Sequence, residues 1–62
     1  MKFYDGQRIR LIWDGEEGIP RGATGLIIGQ DYGDTDFRTY EVVFDNGVLA
    51  RQVREYHLAR EE

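Results

Sequence analysis

Side chains that could carry out catalysis are few in this chain of 62 residues. It has one histidine, His57, no cysteine, and aliphatic hydroxyls only at Thr24, Thr35 and Thr39. Nucleophilic catalysis needs a hydroxyl or thiol beside an oriented base, and a catalytic zinc ion needs three protein ligands. Since no motif provides either arrangement, we expect no enzymatic activity, no metal and no cofactor. His57 is expected to point outward from the last strand as a solvated side chain.

Three aspartates, Asp31, Asp34 and Asp36, share one loop with Gly33. A calcium loop places acidic ligands at alternate positions, with glycine at the sixth position and a bidentate glutamate at the twelfth. The spacing of these aspartates does not follow that pattern. We therefore interpret the segment as a solvated acidic loop.

The length and the net charge of −4 predict a single small domain over residues 1–62. A chain this short stays folded only if nearly all its apolar residues join one core, which leaves little room for a buried active site. The start Met1–Asp5 does not resemble a secretory signal, and no apolar run approaches the roughly 20 residues of a membrane span. These features predict a monomeric cytoplasmic protein.

Glycines divide the chain into short apolar segments, which is typical of an all-β domain. Alternation predicts Ile9, Leu11 and Trp13 on one face of the first strand, opposite Arg8 and Arg10. The strands are predicted at residues 7–13, 23–29, 39–45 and 48–53, with a last short strand at Leu58. Asn46-Gly47 predicts a hairpin between the third and fourth strands, because this pair tolerates positive φ.

The C-terminal segment allows two interpretations. We predict a single helical turn over residues 54–56, followed by a closing strand. The alternative is a helix from Leu49 to Arg60, because Leu49, Val53 and Tyr56 have helical spacing.

The order of these segments resembles the bacterial Src-homology-3-like barrels. The resemblance rests on three motifs: Gly6-x-Arg8-Ile9-Arg10-Leu11, Pro20-Arg21-Gly22-Ala23-Thr24-Gly25-x-Ile27 and Tyr40-Glu41-Val42-x-Phe44-Asp45-x-Gly47. The chain is similar to KOW-type domains, to the photosystem I accessory subunit, and to the C-terminal part of the nitrile hydratase β chain. This resemblance implies a five-stranded small barrel with a single helical turn before the last strand. It does not imply one function, because such barrels host unrelated roles.

Aromatic and acidic residues gather in the segments 14–20 and 30–38, which flank one end of a barrel of this type. Such a surface suits a protein partner that presents Lys or Arg beside apolar side chains. The predicted partner-binding residues are Trp13, Glu16, Glu17, Ile19, Asp31, Tyr32, Asp34, Asp36 and Phe37. The other aromatic residues considered, Tyr4, Tyr40, Phe44 and Tyr56, are assigned to the core or its lid.

Two other functions remain open. A KOW-like domain would bind nucleic acid or a ribonucleoprotein through an arginine face, formed by Arg8, Arg10, Arg21, Arg51 and Arg54. The acidic loops oppose this function because their field repels phosphate. The chain could also be an accessory subunit of a larger enzyme. A chain whose acidic side chains mimic nucleic acid would act by occupying a DNA-binding protein, so we treat this function as a special case of protein binding.

Overall fold

The structure, a computed structural model, describes residues 3–31 and 38–61. The strands are β1 (Arg8–Leu11), β2 (Thr24–Asp31), β3 (Thr39–Phe44), β4 (Leu49–Arg54) and β5 (Leu58–Arg60). They form one open antiparallel sheet in the order β4-β3-β2-β1-β5. A 3₁₀ turn, Glu55–His57, joins β4 to β5. The predicted all-β class and the helical turn before the last strand are confirmed.

Alternation of buried and exposed residues defines the inner face of the sheet. In β1, Ile9 and Leu11 are buried whereas Arg8 and Arg10 are exposed, as predicted. Among the described residues, the core consists of Phe3, Ile9, Leu11, Ile19, Ile27, Tyr40, Val42, Phe44, Ala50, Val53 and Leu58. The strand ends at Leu11, so Trp13 does not continue this face and lies in the following loop.

Strand β2 lies at the centre of the sheet, and at Gly25 the backbone of β3 comes very close to it. Gly25 pairs with both Ile9 and Phe44. A Cβ atom on Gly25 would lie 2.7 Å from the Val43 carbonyl oxygen and 2.9 Å from the Phe44 Cα atom. Because those atoms belong to the backbone, only glycine fits here. Further along β2, the pairing with β3 shifts between Ile27 and Gly29.

The hairpin between β3 and β4 lies at the predicted Asn46-Gly47 pair. The Phe44 N–H donates to the Val48 carbonyl at 2.9 Å, and the Gly47 N–H donates to the Phe44 carbonyl at 2.9 Å. Only Gly47 has a positive φ, of 90°, whereas Asn46 does not. The loop therefore contains three residues and ends in a left-handed glycine, and β4 begins one residue later than predicted.

The helix considered for residues 49–60 is wrong. Residues Leu49–Arg54 instead pair with β3, and Leu58–Arg60 pair with β1. Their backbone N–H and C=O groups therefore form hydrogen bonds between strands and are not available for a helix. A register shift in β4 lies near Gln52, whose φ of 58° is left-handed. Such a bulge explains how Ala50 and Val53, three residues apart, both face the core.

Two of the four aromatic residues assigned to the core or its lid are instead exposed. Tyr40 and Phe44 are buried, but Tyr4 is 62% exposed and Tyr56 is 55% exposed. Both exposed residues lie outside the strands: Tyr4 accepts a hydrogen bond from the Gln7 N–H in a tight turn, and Tyr56 lies in the 3₁₀ turn. Within the described part of the chain, no helix has the length and apolar character needed to cross a membrane.

Candidate functional site

The 3₁₀ turn brings two separate parts of the chain together. At its start, the Glu55 N–H donates to the Arg38 carbonyl at 3.1 Å. At its end, the His57 carbonyl accepts a hydrogen bond of 2.9 Å from the Ile12 N–H. Arg38 precedes β3, and Ile12 begins the loop after β1. Residues at the borders of both predicted binding loops therefore contact the same short turn.

An aromatic cluster lies on this turn, and we define it as Trp13, Tyr56 and His57; Ile12 precedes Trp13 in the chain. The rings of Trp13 and His57 stack, with centroids 3.8 Å apart and planes inclined by 9°. Tyr56 contacts His57 edge-on, at a centroid distance of 4.7 Å. Ile12 and Trp13 are 44% and 40% exposed. The cluster therefore presents apolar surface to solvent while backbone pairing holds its position.

Gly15 packs against the indole of Trp13. A Cβ atom on Gly15 would overlap three carbons of the indole ring. The loop after β1 can therefore pass this close to the ring only with glycine at position 15. This contact and the stacking on His57 together fix the orientation of Trp13.

The environment of His57 differs from the expected solvated side chain. The imidazole is half-buried in the 3₁₀ turn, and its buried Nδ1 atom has no hydrogen-bond partner among the described residues. Burial lowers the pKa of His57; nearby Arg54 lowers it further, whereas Glu16 raises it. The expectation was wrong because His57 precedes β5 rather than lying in it, so strand alternation does not apply. Burial therefore favours the neutral form of the imidazole.

The loop after β1 supplies acidic groups beside the aromatic cluster. Glu16 is half-buried and close enough to His57 to influence its charge. Glu17 is exposed. Asp14 lies 3.6 Å from the guanidinium of Arg21, and both side chains are largely exposed. Of these acidic residues, Glu16 is the one whose charge acts on the cluster, through His57.

Of the other predicted partner-binding residues, one lies in the core and the side chains of the rest are not described by the structure. Ile19 was predicted to bind the partner, but it is 4% exposed and packs in the core. Its apolar side chain is more stable there than in contact with solvent. The side chain of Asp31 and the whole of Tyr32, Asp34, Asp36 and Phe37 lie outside the described residues.

The arginines predicted to bind nucleic acid occupy different parts of the sheet. Arg8 and Arg10 lie on β1, and Arg51 and Arg54 lie on β4, with β2 and β3 between these strands. Arg21 lies in the loop after β1, beside Asp14. The strand order therefore does not place the β1 and β4 arginines on adjacent strands.

Arg8 is held by two carboxylates. Its Nη1 and Nη2 atoms donate to Asp45 at 2.8 and 2.6 Å, and its Nε atom donates to Glu61 at 2.8 Å. The Thr24 hydroxyl also donates to Asp45, at 2.5 Å. The bonds from Arg8 and then Thr24 lower the pKa of Asp45 to about 2. Since these pairs join β1, β2, the hairpin and the C-terminal segment, we assign Arg8 a structural role.

Tyr56 and His57 are the site residues that the sequence reasoning missed. The signal that identifies them is the pairing of the first and last strands. Leu11 pairs with Leu58 in an antiparallel register, so the residues after Leu11 lie opposite the residues before Leu58. That register brings Trp13 close to Tyr56 and His57.

Among the residues that the structure describes, no group of three or more histidine or acidic side chains is arranged to hold a metal ion. No protein-family model matches the chain, and comparisons with curated proteins and with solved structures also gave no match.

Proposed function

We propose that this chain is a non-enzymatic binding module with a Src-homology-3-like barrel fold, and that the aromatic cluster and its acidic neighbours recognise a protein. The observation that carries this proposal is the stacked and partly exposed Trp13–His57 pair, with Glu16 beside it. A monomer gains little from fixing aromatic rings at its surface, whereas a binding site gains preorganised contact area.

Strand connectivity supports the barrel. The edge strands β4 and β5 are joined by only three residues, so the Cα atoms of Arg54 and Leu58 lie no more than about 14 Å apart. In a flat sheet, four strand spacings would separate these edges by about 19 Å. The sheet must therefore curl so that its two edges approach each other at this end, as they do in a small barrel.

The chemistry of the site favours a partner with basic and apolar side chains. Trp13 and Tyr56 are of the residue types enriched in binding hot spots. Glu16, whose charge acts on His57, and the exposed Glu17 provide negative charge in the loop after β1. A Lys or Arg on the partner would gain attraction from both the acids and the aromatic rings, while adjacent apolar groups would cover Ile12.

Capture from lysate tests this proposal, with bound proteins identified by mass. We expect Tyr56→Ala and Glu17→Lys each to weaken capture of a defined protein at least tenfold, whereas Tyr4→Ala, a change at an equally exposed tyrosine outside the cluster, leaves it unchanged. Nuclease treatment should have no effect. Tyr32→Ala and Phe37→Ala test the second predicted loop in the same assay.

Two results would contradict the proposal. One is capture that survives both cluster substitutions. The other is capture that nuclease abolishes, that falls steeply with salt, and that depends on Arg10 and Arg51, since this combination indicates nucleic-acid binding.

A further inference from the structure

We infer that His57 is a pH-responsive latch of the aromatic cluster: the neutral imidazole holds the Trp13 indole in place, and protonation releases it. The two rings are nearly parallel, with centroids 3.8 Å apart. His57 is the only histidine of the chain and Trp13 the only tryptophan. The titrating imidazole of His57 therefore lies in direct contact with the indole of Trp13, whose signals can report its protonation.

The geometry of the imidazole favours its neutral form. A neutral imidazole carries a proton on one nitrogen, so Nδ1 can keep an unshared electron pair, whereas an imidazolium carries a proton on both nitrogens. In the stacked arrangement Nδ1 is buried and has no hydrogen-bond partner within residues 3–31 and 38–61. Protonation would therefore place a charged donor without a partner in this position, which costs more than leaving a lone pair there.

The face of the Trp13 indole attracts a cation, Tyr56 contacts the imidazole edge-on, and the charged groups nearby act in both directions, so these neighbours only partly offset this cost. Glu16, in the loop after β1, favours the cation, and Arg54, at the end of β4, disfavours it. Glu55, on the same turn, accepts a 2.7 Å hydrogen bond from the Tyr40 hydroxyl. The residues that flank the turn in β1 and β5, Leu11 and Leu58, carry no charge. With burial as the largest effect, the pKa of His57 is lowered overall.

The direction of the switch follows from this lowered pKa. The stability that the neutral, stacked imidazole gives the aromatic cluster is fully present above the ordinary histidine pKa of 6.5, and it is lost as the pH falls through the lower pKa of the folded protein. Since His57 lies at the surface turn, a small rotation of the ring allows water to reach Nδ1. Trp13 then loses its stacking partner.

This inference deepens the proposed function, and its effect on binding rests on that function. A basic partner binds best when Trp13 is stacked on the neutral His57, because the rings are then already ordered and no positive charge on His57 repels the partner. Acidification should therefore weaken capture through both the loss of order and the added charge on His57.

The latch is tested on the free protein by NMR from pH 8 to pH 5. We expect cross-relaxation peaks between the Trp13 and His57 rings at pH 8, their loss on acidification with a midpoint below pH 6.5, and recovery on return to pH 8. In His57→Phe, which keeps an aromatic ring but cannot titrate, the ring contacts should persist throughout. Far-UV circular dichroism should show that both proteins stay folded. Peaks that persist in the wild type, or disappear equally in both proteins, would overturn the latch.

Capture of the partner at pH 7.5 and pH 5.5 separates the latch from the proposed function. Weaker capture by the wild type at pH 5.5, with unchanged capture by His57→Phe, supports both. Ring contacts that are lost while capture stays constant would leave the latch valid and contradict binding at the cluster. Ring contacts that persist while Tyr56→Ala still abolishes capture would remove the latch and leave the binding site.

Discussion

The hydroxyl of Tyr40 donates to Glu55 Oε2 at 2.7 Å, which connects the core directly to the 3₁₀ turn that carries the aromatic cluster. The same hydroxyl accepts a hydrogen bond from the Phe3 N–H at 3.3 Å. Tyr40 is fully buried, and burial followed by the bond to Glu55 raises the pKa of its hydroxyl. A core residue of β3 thus holds both the N-terminal segment and the base of the candidate site.

Replacing Tyr40 with phenylalanine should destabilise the fold. Tyr40→Phe removes the hydroxyl and leaves the Phe3 N–H and the Glu55 carboxylate without this partner. We expect a loss of about 1–3 kcal/mol in the free energy of unfolding, measured by urea denaturation. The matched control is Tyr4→Phe, at an exposed tyrosine, which should change stability by less than about 0.5 kcal/mol. Equal stability of both variants would show that the Tyr40 hydroxyl contributes nothing.

Two glycines of β2 should respond differently to the same substitution. In Gly25→Ala, the new Cβ would meet backbone atoms at 2.7 and 2.9 Å, so the strands must separate, at a cost of about 1–3 kcal/mol. In Gly29→Ala, the nearest atom is the Cβ of Glu41, at 3.9 Å, so we expect little change. Thermal and urea unfolding of the two variants compare them directly. A Gly25→Ala protein as stable as Gly29→Ala would contradict the close approach at Gly25.

Asp45 should contribute to the loss of stability in acid. Its pKa is lowered from 3.8 to about 2, chiefly by its bonds to Arg8. The ionised form therefore stabilises the folded state above pH 3.8, and this contribution disappears as the pH falls through 2. Asp45→Asn should be less stable than the wild type at pH 6, and the difference should shrink toward pH 2.

Urea unfolding between pH 2 and pH 6 measures this difference. Asp14→Asn is the matched control, because Asp14 and Arg21 are well exposed and 3.6 Å apart. We expect that control to follow the wild-type curve. A stability difference for Asp45→Asn that does not vary with pH would rule out the carboxylate charge as its cause.

Gly15→Ala should disturb the aromatic cluster while leaving the sheet folded. The added methyl group would overlap the indole of Trp13, so the ring must move away from His57. The expected result is a change in the near-ultraviolet circular dichroism of Trp13 and the loss of its ring-current effect on the His57 protons. Glu17→Ala, in the same loop, should leave both signals unchanged. A Gly15→Ala spectrum identical to the wild type would contradict this packing.

Much of the sheet could be predicted because strand alternation is a local property. Ile9 and Leu11 alternate with Arg8 and Arg10 along four residues, and this is enough to define the inner face of β1. The Asn46-Gly47 pair located the hairpin for the same reason. The number of residues in its loop was less predictable, because it depends on which cross-strand pair closes it, here Phe44 with Val48.

The candidate site was only partly predictable because its residues come from opposite ends of the chain. Trp13 stood out as a tryptophan beside acidic residues, but His57 was expected to be solvated. Ile19 shows the reverse error, since it was assigned to the partner-binding surface, whereas it packs in the core. In both cases the deciding contact is with a residue distant in the chain.

The sequence by itself determined that this is a small all-β protein with an acidic net charge. Composition, glycine spacing and residue alternation are local properties, and they indicate strands whichever strands later pair with one another. Only the tertiary structure decided that Trp13 stacks on His57 and that Arg8 is held by Asp45 and Glu61. The pairing of β1 with β5 and the path of the 3₁₀ turn set these contacts. Burial, charge and hydrogen bonding at each of these side chains therefore depend on neighbours that residue order alone does not reveal.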